Sequence, residues 1–147
     1  MRQEALAHFF KGPGKTTLIP GDIVTAIHFP LPPKGSAGAY LKLGRNKLSD
    51  LSIVGVTVWG YPDAQKRSGY CIKIALASVA PVPLRVEQAE AYLAEHKPEA
   101  EVFQEAARLA AAACSPIDDV RGSARYRKAM ARNLTRKALE KVWEGLS

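Results

Sequence analysis

Soft metal ligands and nucleophiles are scarce in this sequence: two cysteines and three histidines in 147 residues. Neither Cys71 nor Cys114 has a second ligand at metal-like spacing, and His8, His28 and His96 are scattered. Neither a zinc site nor a nucleophile–base pair is therefore expected. Each cysteine sits in an apolar run, as a small buried hydrophobe does in a reducing compartment, so both are expected to be unpaired. Long apolar runs are also missing. Nothing approaches the roughly 20 residues of a membrane span, and the opening MRQEALAHFF lacks the apolar core of a signal peptide. The expected location is cytoplasmic, with no membrane partner. One glycine is missing where it matters. The string GPGKT suggests a phosphate-binding loop, but that motif opens with a glycine five residues before Gly14, and the position holds Phe9. The string reads instead as a Gly/Pro turn, repeated at Pro20-Gly21.

What is present fits one globular domain: 47% apolar and 24% charged residues. The net charge of +7 is unevenly spread. Residues 1–70 carry nine Lys/Arg against four Asp/Glu, residues 71–121 five against eight, and residues 122–147 seven against two. Basic ends around an acidic middle suit a nucleic acid, an acidic partner or a phosphorylated ligand, and equally a solvated helix face.

The stretch AYLKLGRNKLSDLSIVGVTVWG organises the chain. Two apolar runs flank a polar hinge at residues 44–50, and the second run is rich in β-branched and aromatic residues. A further run follows the turn-rich YPDAQKRSG. The expectation is an α+β fold: an antiparallel β-meander of three to four strands flanked by helices, with a helical C-terminal half. Strands are expected near 23–29, 38–44, 51–60 and 69–78. The first of these, IVTAIHF, places Ile23, Thr25, Ile27 and Phe29 on one face. Helices are expected near 84–95, 99–114 and 123–145, with Ser123 as N-cap of the last. In that helix Tyr126, Met130, Leu134, Ala138 and Val142 read as the core stripe, widened by Leu139, Trp143 and Leu146.

Four segments in order carry a resemblance: FFKGPGKTTLIPGDIVTAIHFP, YLKLGRNKLSDLSIVGVTVW, IALASVAPVPLRVEQAEAYL and SPIDDVRGSARYRKAMARNLTRKAL. Together they resemble the C-terminal domain of the FAD-binding (medium) subunit of molybdenum hydroxylases, the family of carbon monoxide dehydrogenase and xanthine dehydrogenase. The resemblance spans nearly the whole chain. It implies a meander flanked by helices, in agreement with the patterning. It also implies a role in passing electrons from iron–sulfur clusters through FAD to an acceptor. The molybdenum cofactor and the clusters would sit in partner subunits, a molybdenum-binding large one and an iron–sulfur small one. Most FAD contacts in the family come from an upstream domain with glycine-rich phosphate loops. Residues 1–147 contain no such loop, so the chain is expected to act as one domain beside a separate FAD-binding domain or subunit.

The resemblance places Ile23 and Val24 among apolar positions lining the flavin, and Lys42 close to its ring, where a cation stabilises the anionic reduced form. It marks no catalytic residue. The usual arginine after Arg45 is Asn46 here, and Asp50 matches an acidic position that holds Arg45 or the turn. Asp118, Asp119, Arg121, Tyr126 and Arg127 are expected to form a loop–helix ion network, or else a docking surface. An exposed apolar patch is expected at Phe9, Phe10, Ile23 and Val24, open to the FAD domain or to self-association. The alternative reading is a basic binding module for nucleic acid or an acidic partner. Nucleic acid is disfavoured because the strands show no interleaved exposed aromatics for base stacking.

Overall fold

The computed structural model describes residues 1–46 and 50–147. Part of the expected polar hinge, residues 47–49, lies outside that description. The apolar runs form β3 (Ala37–Leu43), β4 (Val54–Pro62) and β5 (Tyr70–Ala77), and a short β6 (Leu84–Arg85) follows the proline-rich turn. All neighbours are antiparallel, in the order β3-β4-β5-β6. Alternation gives the sheet two unlike faces. Ala39, Val54, Val56, Val58, Ile72, Ile74 and Leu76 turn inward and are buried. Against them lie α2 (Glu87–Glu95), α3 (Ala100–Ala113) and α4 (Ala124–Leu146), through Ala89, Leu93, Phe103, Ala106, Ala110, Ala138, Leu139 and Val142. Two glycines let the end of α4 lie close to the sheet: a Cβ on Gly145 would stand 3.0 Å from that of Ala37, and one on Gly60 3.1 Å from Leu146 Cδ1.

The α+β fold, the antiparallel sheet and the helical C-terminal half match the sequence expectation. Ser123 caps α4, its hydroxyl accepting from the Tyr126 N–H at 3.2 Å. Both cysteines are free and buried. Burial pushes the Cys114 thiol up to about 11, slightly opposed by Lys128. Among the described residues no helix is long and apolar enough to cross a membrane.

Two expectations are corrected. Residues 23–29 form no strand and are exposed throughout, and the fourth strand of the sheet is β6 instead. Alternation specifies two faces but supplies no neighbouring strand to pair with. The core stripe of α4 holds only in part: Ala138, Leu139 and Val142 are buried, and Met130, Leu134, Trp143 and Leu146 pack against the core from its margin. Its buried positions are Arg127, Ala131, Thr135, Ala138, Leu139 and Val142, while Tyr126 is exposed and Met130 and Leu134 are half-buried. A strict i+4 row gains about 40° on the helix at every step, so five such residues wind across it rather than along one face.

The N-terminal segment stands apart from this core. A single turn, α1 (Leu6–Phe9), leads into a hairpin of β1 (Phe10–Gly12) and β2 (Lys15–Thr16). GPGK makes its turn, with Gly12 and Gly14 at φ of 154° and 65°, a region open to glycine. A second turn is locked by Asp22, whose carboxylate accepts from the Ile19 N–H and from Arg2, both at 3.1 Å.

Candidate functional site

The face of the sheet turned away from the helices is open. Tyr40 and Lys42 on β3, Thr57, Trp59 and Tyr61 on β4, and Lys73 and Ala75 on β5 all point into it, as register and burial require. Glycines make room for its aromatics. Tyr40 lies beside Gly55, where a Cβ would come within 3.2 Å of the phenol oxygen, and Trp59 lies beside Gly38. The Trp59 and Tyr61 rings pack 5.0 Å apart. The sequence-based view that the strands expose no aromatics is thus corrected: Tyr40 is 59% exposed, and Trp59 and Tyr61 are half-exposed on the same face. Pattern alone does not tell which face of a strand the helices cover.

Lys42 stands at the end of β3, opposite Gly55. Its side chain is exposed, and its ammonium donates to the main-chain carbonyl of Asp50. The Asp50 carboxylate in turn accepts from the N–H groups of Arg45 and Asn46 and lies 4.0 Å from the Arg45 Nε. Donation from the Arg45 N–H holds the Asp50 carboxyl below its usual range, against the opposing effect of burial. Asp50 therefore does hold the turn, and the turn holds Lys42. Ile23 and Val24 are 82% and 52% exposed, and no hydrogen bond joins either of them to β3 among the described residues. Phe10 is exposed and Phe9 half-exposed, their rings packed edge to face at 5.2 Å. The expected apolar surface is thus present as exposed residues along the N-terminal segment.

Two ion clusters complete the electrostatics. Arg127, 3% exposed, donates to Asp119 at 2.6 Å and to the carbonyls of Ile53 and Ser78 at 2.7 and 3.1 Å. This is the expected loop–helix network, now with two strand ends attached. Glu90, 6% exposed, accepts from Arg85, from Lys73 and from the Ile74 N–H. Sequence reading missed Glu90. The signal was its place in the series Val86, Ala89, Glu90, Leu93, which is one helix face. Lys73, Arg85 and Glu90 border a shallow hollow of about 450 Å³ with Thr57, Trp59 and Ala75, so the charges there are already engaged with one another. A second cleft, about 540 Å³ between α3 and α4, is lined by Glu101, Glu105, Arg108, Arg132 and Arg136 and lies on the opposite side of the sheet.

The arrangement suits a planar, electron-accepting ring better than a phosphate chain. A flat face with exposed aromatics and a fixed ammonium at its end offers contact and charge to such a ring. Phosphate needs free N–H groups at a helix start without negative charge. The α2 start carries Glu87 and Glu90, the α3 start carries Glu101, and the α4 start is closed by Ser123. Among the described residues, the starts of α2, α3 and α4 are therefore not open to a pyrophosphate.

Residues 39–142 match the family model described as the CO dehydrogenase flavoprotein C-terminal domain. The chain is 36% identical over 138 residues to the carbon monoxide dehydrogenase medium chain of Hydrogenophaga pseudoflava, covering 92% of this chain and 46% of that protein. It is 35% identical over 83 residues to a putative xanthine dehydrogenase FAD-binding subunit of Escherichia coli K12, covering 56% of this chain and 28% of that one. Among solved structures, carbon monoxide dehydrogenase from Hydrogenophaga pseudoflava superimposes with a TM-score of 0.87 at 35% identity, over 96% of this chain and 48% of that chain. The chain thus spans about half the length of the carbon monoxide dehydrogenase relative it matches.

Proposed function

The chain belongs to the CO dehydrogenase flavoprotein C-terminal domain family, and on that footing we propose that it is the ring-facing part of a molybdenum hydroxylase flavin subunit. In this reading it packs against a second half that grips FAD by its phosphates. Bound FAD would supply the redox chemistry, taking electrons that originate at a molybdenum centre and passing them to an acceptor. Large and small partner subunits would hold that centre and the iron–sulfur clusters. This chain's own residues do something narrower. Lys42 holds a positive charge at the end of the open face, while Ile23 and Val24 give apolar contact and exclude water. The observation that carries the reading is the family match over residues 39–142, with Lys42 fixed by Asp50 inside it.

Equilibrium dialysis against FAD tests it. The chain alone is expected to bind weakly or not at all. A solvent-exposed ion pair is worth at most about 1 kcal/mol, whereas micromolar affinity needs about 8 kcal/mol. Adding the half of the Hydrogenophaga pseudoflava medium chain that this chain does not match should retain the cofactor in a complex with both. In that complex Lys42→Ala should lower the flavin midpoint potential, by about 20 mV, because the reduced anion loses its neighbour. Tight binding by the chain alone, or an unmoved potential, would count against the assignment.

A further inference from the structure

Helix α4 carries seven Lys/Arg against two carboxylates, Glu140 and Glu144. Of the seven, Arg127 is buried in the ion network already described. Arg125, Lys128, Arg132 and Arg136 are exposed, and their spacing of 3, 4 and 4 residues keeps them in one row along the helix. At 1.5 Å per residue the row is about 16 Å long, with one cation per turn. Arg136 pairs with Glu140 at 2.5 Å. Among the described residues, Arg125, Lys128 and Arg132 form no ion pair.

The row borders the cleft between α3 and α4. Arg132 and Arg136 line it from one side, and Glu101, Glu105 and Arg108 from the other. Glu105 is already taken by Arg108, which donates to it at 2.7 and 2.6 Å. Further along, beside Lys128, α3 ends in alanines rather than carboxylates. The rest of the fold therefore leaves most of the row unanswered.

A row with one cation per turn is matched by a second helix with one carboxylate per turn, as in paired helices that carry opposite charges beside their seam. A continuous phosphate backbone fits less well. Glu101 and Glu105 line the cleft, and Glu140 stands beside Arg136, so a dense run of phosphates meets repulsion there. We propose that the α3–α4 face is the docking site of an acidic helix of a partner protein, with carboxylates one turn apart set against Arg125, Lys128, Arg132 and Arg136. The cleft lies on the side of the sheet away from the open face, so a helix seated here leaves that face free. This docking site stands on the charge pattern and not on the flavin-subunit reading.

Chemical-shift mapping by NMR on the whole chain at low salt tests it. The probe is a helical peptide with four glutamates spaced to match the row. Exposed ion pairs are individually weak, so an affinity of about 1 mM is expected, with the shifts confined to α3 and α4. A peptide with the same four glutamates spread around its helix should bind at least about fivefold more weakly. The double variant Arg125→Glu with Arg132→Glu should bind the matched peptide at least about tenfold more weakly. Lys137→Glu with Lys141→Glu makes the same change in net charge off the row and should stay within about twofold of the unsubstituted chain. All four positions are exposed, so circular dichroism should show the folds unchanged. Two peptides that bind alike, or two double variants that weaken binding alike, would reduce the row to diffuse charge and overturn the docking site. So would the absence of shifts at about 5 mM peptide. Tighter binding of duplex DNA at the same residues would assign the row to phosphates and overturn it as well.

Discussion

Arg127→Met is expected to lower the unfolding free energy by about 3–5 kcal/mol, a large part of the 5–15 kcal/mol typical of a domain. Methionine can follow the apolar stem of arginine along α4, so the packing loss is small. The loss lies in the acceptors. The Ile53 carbonyl, just before β4, the Ser78 carbonyl, just after β5, and the Asp119 carboxylate all lose their shared donor at once. Ser78 also sits at a φ of 65°, uncommon for a residue with a side chain, and the guanidinium is what its carbonyl faces. An acceptor left unsatisfied in the interior costs about 1–3 kcal/mol, which sets the scale. Arg127→Lys should recover less than half of the loss, because one ammonium cannot reproduce a planar fork aimed at three separated oxygens. Urea unfolding reads the effect as a lower midpoint at an unchanged slope. A midpoint within experimental scatter of the unsubstituted chain would mean that α4 is held by its apolar positions alone.

The same residue shows what a sequence can and cannot reveal. β4 and β5 were legible because Val54, Val56, Val58, Ile72, Ile74 and Leu76 repeat with the period of a pleat, and the turns between them carry Gly, Pro and Asp. α3 was legible because Phe103, Ala106 and Ala110 repeat with the period of a helix. Arg127 and Glu90 were harder. Both occupy the apolar arc of their helices, and a charge there is tolerated only when distant groups arrive to meet it. Those groups are 74 and 16 residues away for the Ile53 carbonyl and the Ile74 N–H. The strand expected at residues 23–29 does not form, because alternation alone does not make a strand: pairing depends on a neighbour that the stretch itself does not contain. Of the proposed flavin contacts, Lys42 lies on the open face next to Tyr40, with Trp59 and Tyr61 toward the other end of β4. That face was invisible to pattern because β3 and β4 alternate equally well whichever side the helices take.

Glu90→Ala is expected to cost about 3 kcal/mol, and Glu90→Gln about half as much. Glu90 joins three elements. Its carboxylate accepts from Arg85 of β6 at 2.7 Å, from Lys73 of β5 at 3.2 Å and from the Ile74 N–H at 3.1 Å. Alanine leaves that buried N–H without an acceptor. Glutamine keeps the acceptor and removes the charge, so the difference between the two variants measures the Ile74 hydrogen bond. Arg85 and Lys73 are partly exposed, so they recover much of their solvation when the charge is gone, and this limits the glutamine loss. Burial alone would raise the Glu90 carboxyl, but donation from Arg85, Ile74 and Lys73 outweighs it and holds the group below its usual range. A carboxyl depressed in the folded chain contributes fully above its unfolded pKa, about 4.3, and loses that contribution as pH falls through the lower folded value. Urea midpoints taken from pH 7 down to about pH 3 should therefore converge for the unsubstituted chain and Glu90→Gln. Asp119, also held low, chiefly by the Arg121 N–H and then by Arg127, keeps an acid dependence in both. Parallel curves with a constant gap at every pH would show that the charge of Glu90 contributes nothing, and that only its shape holds α2 to the sheet.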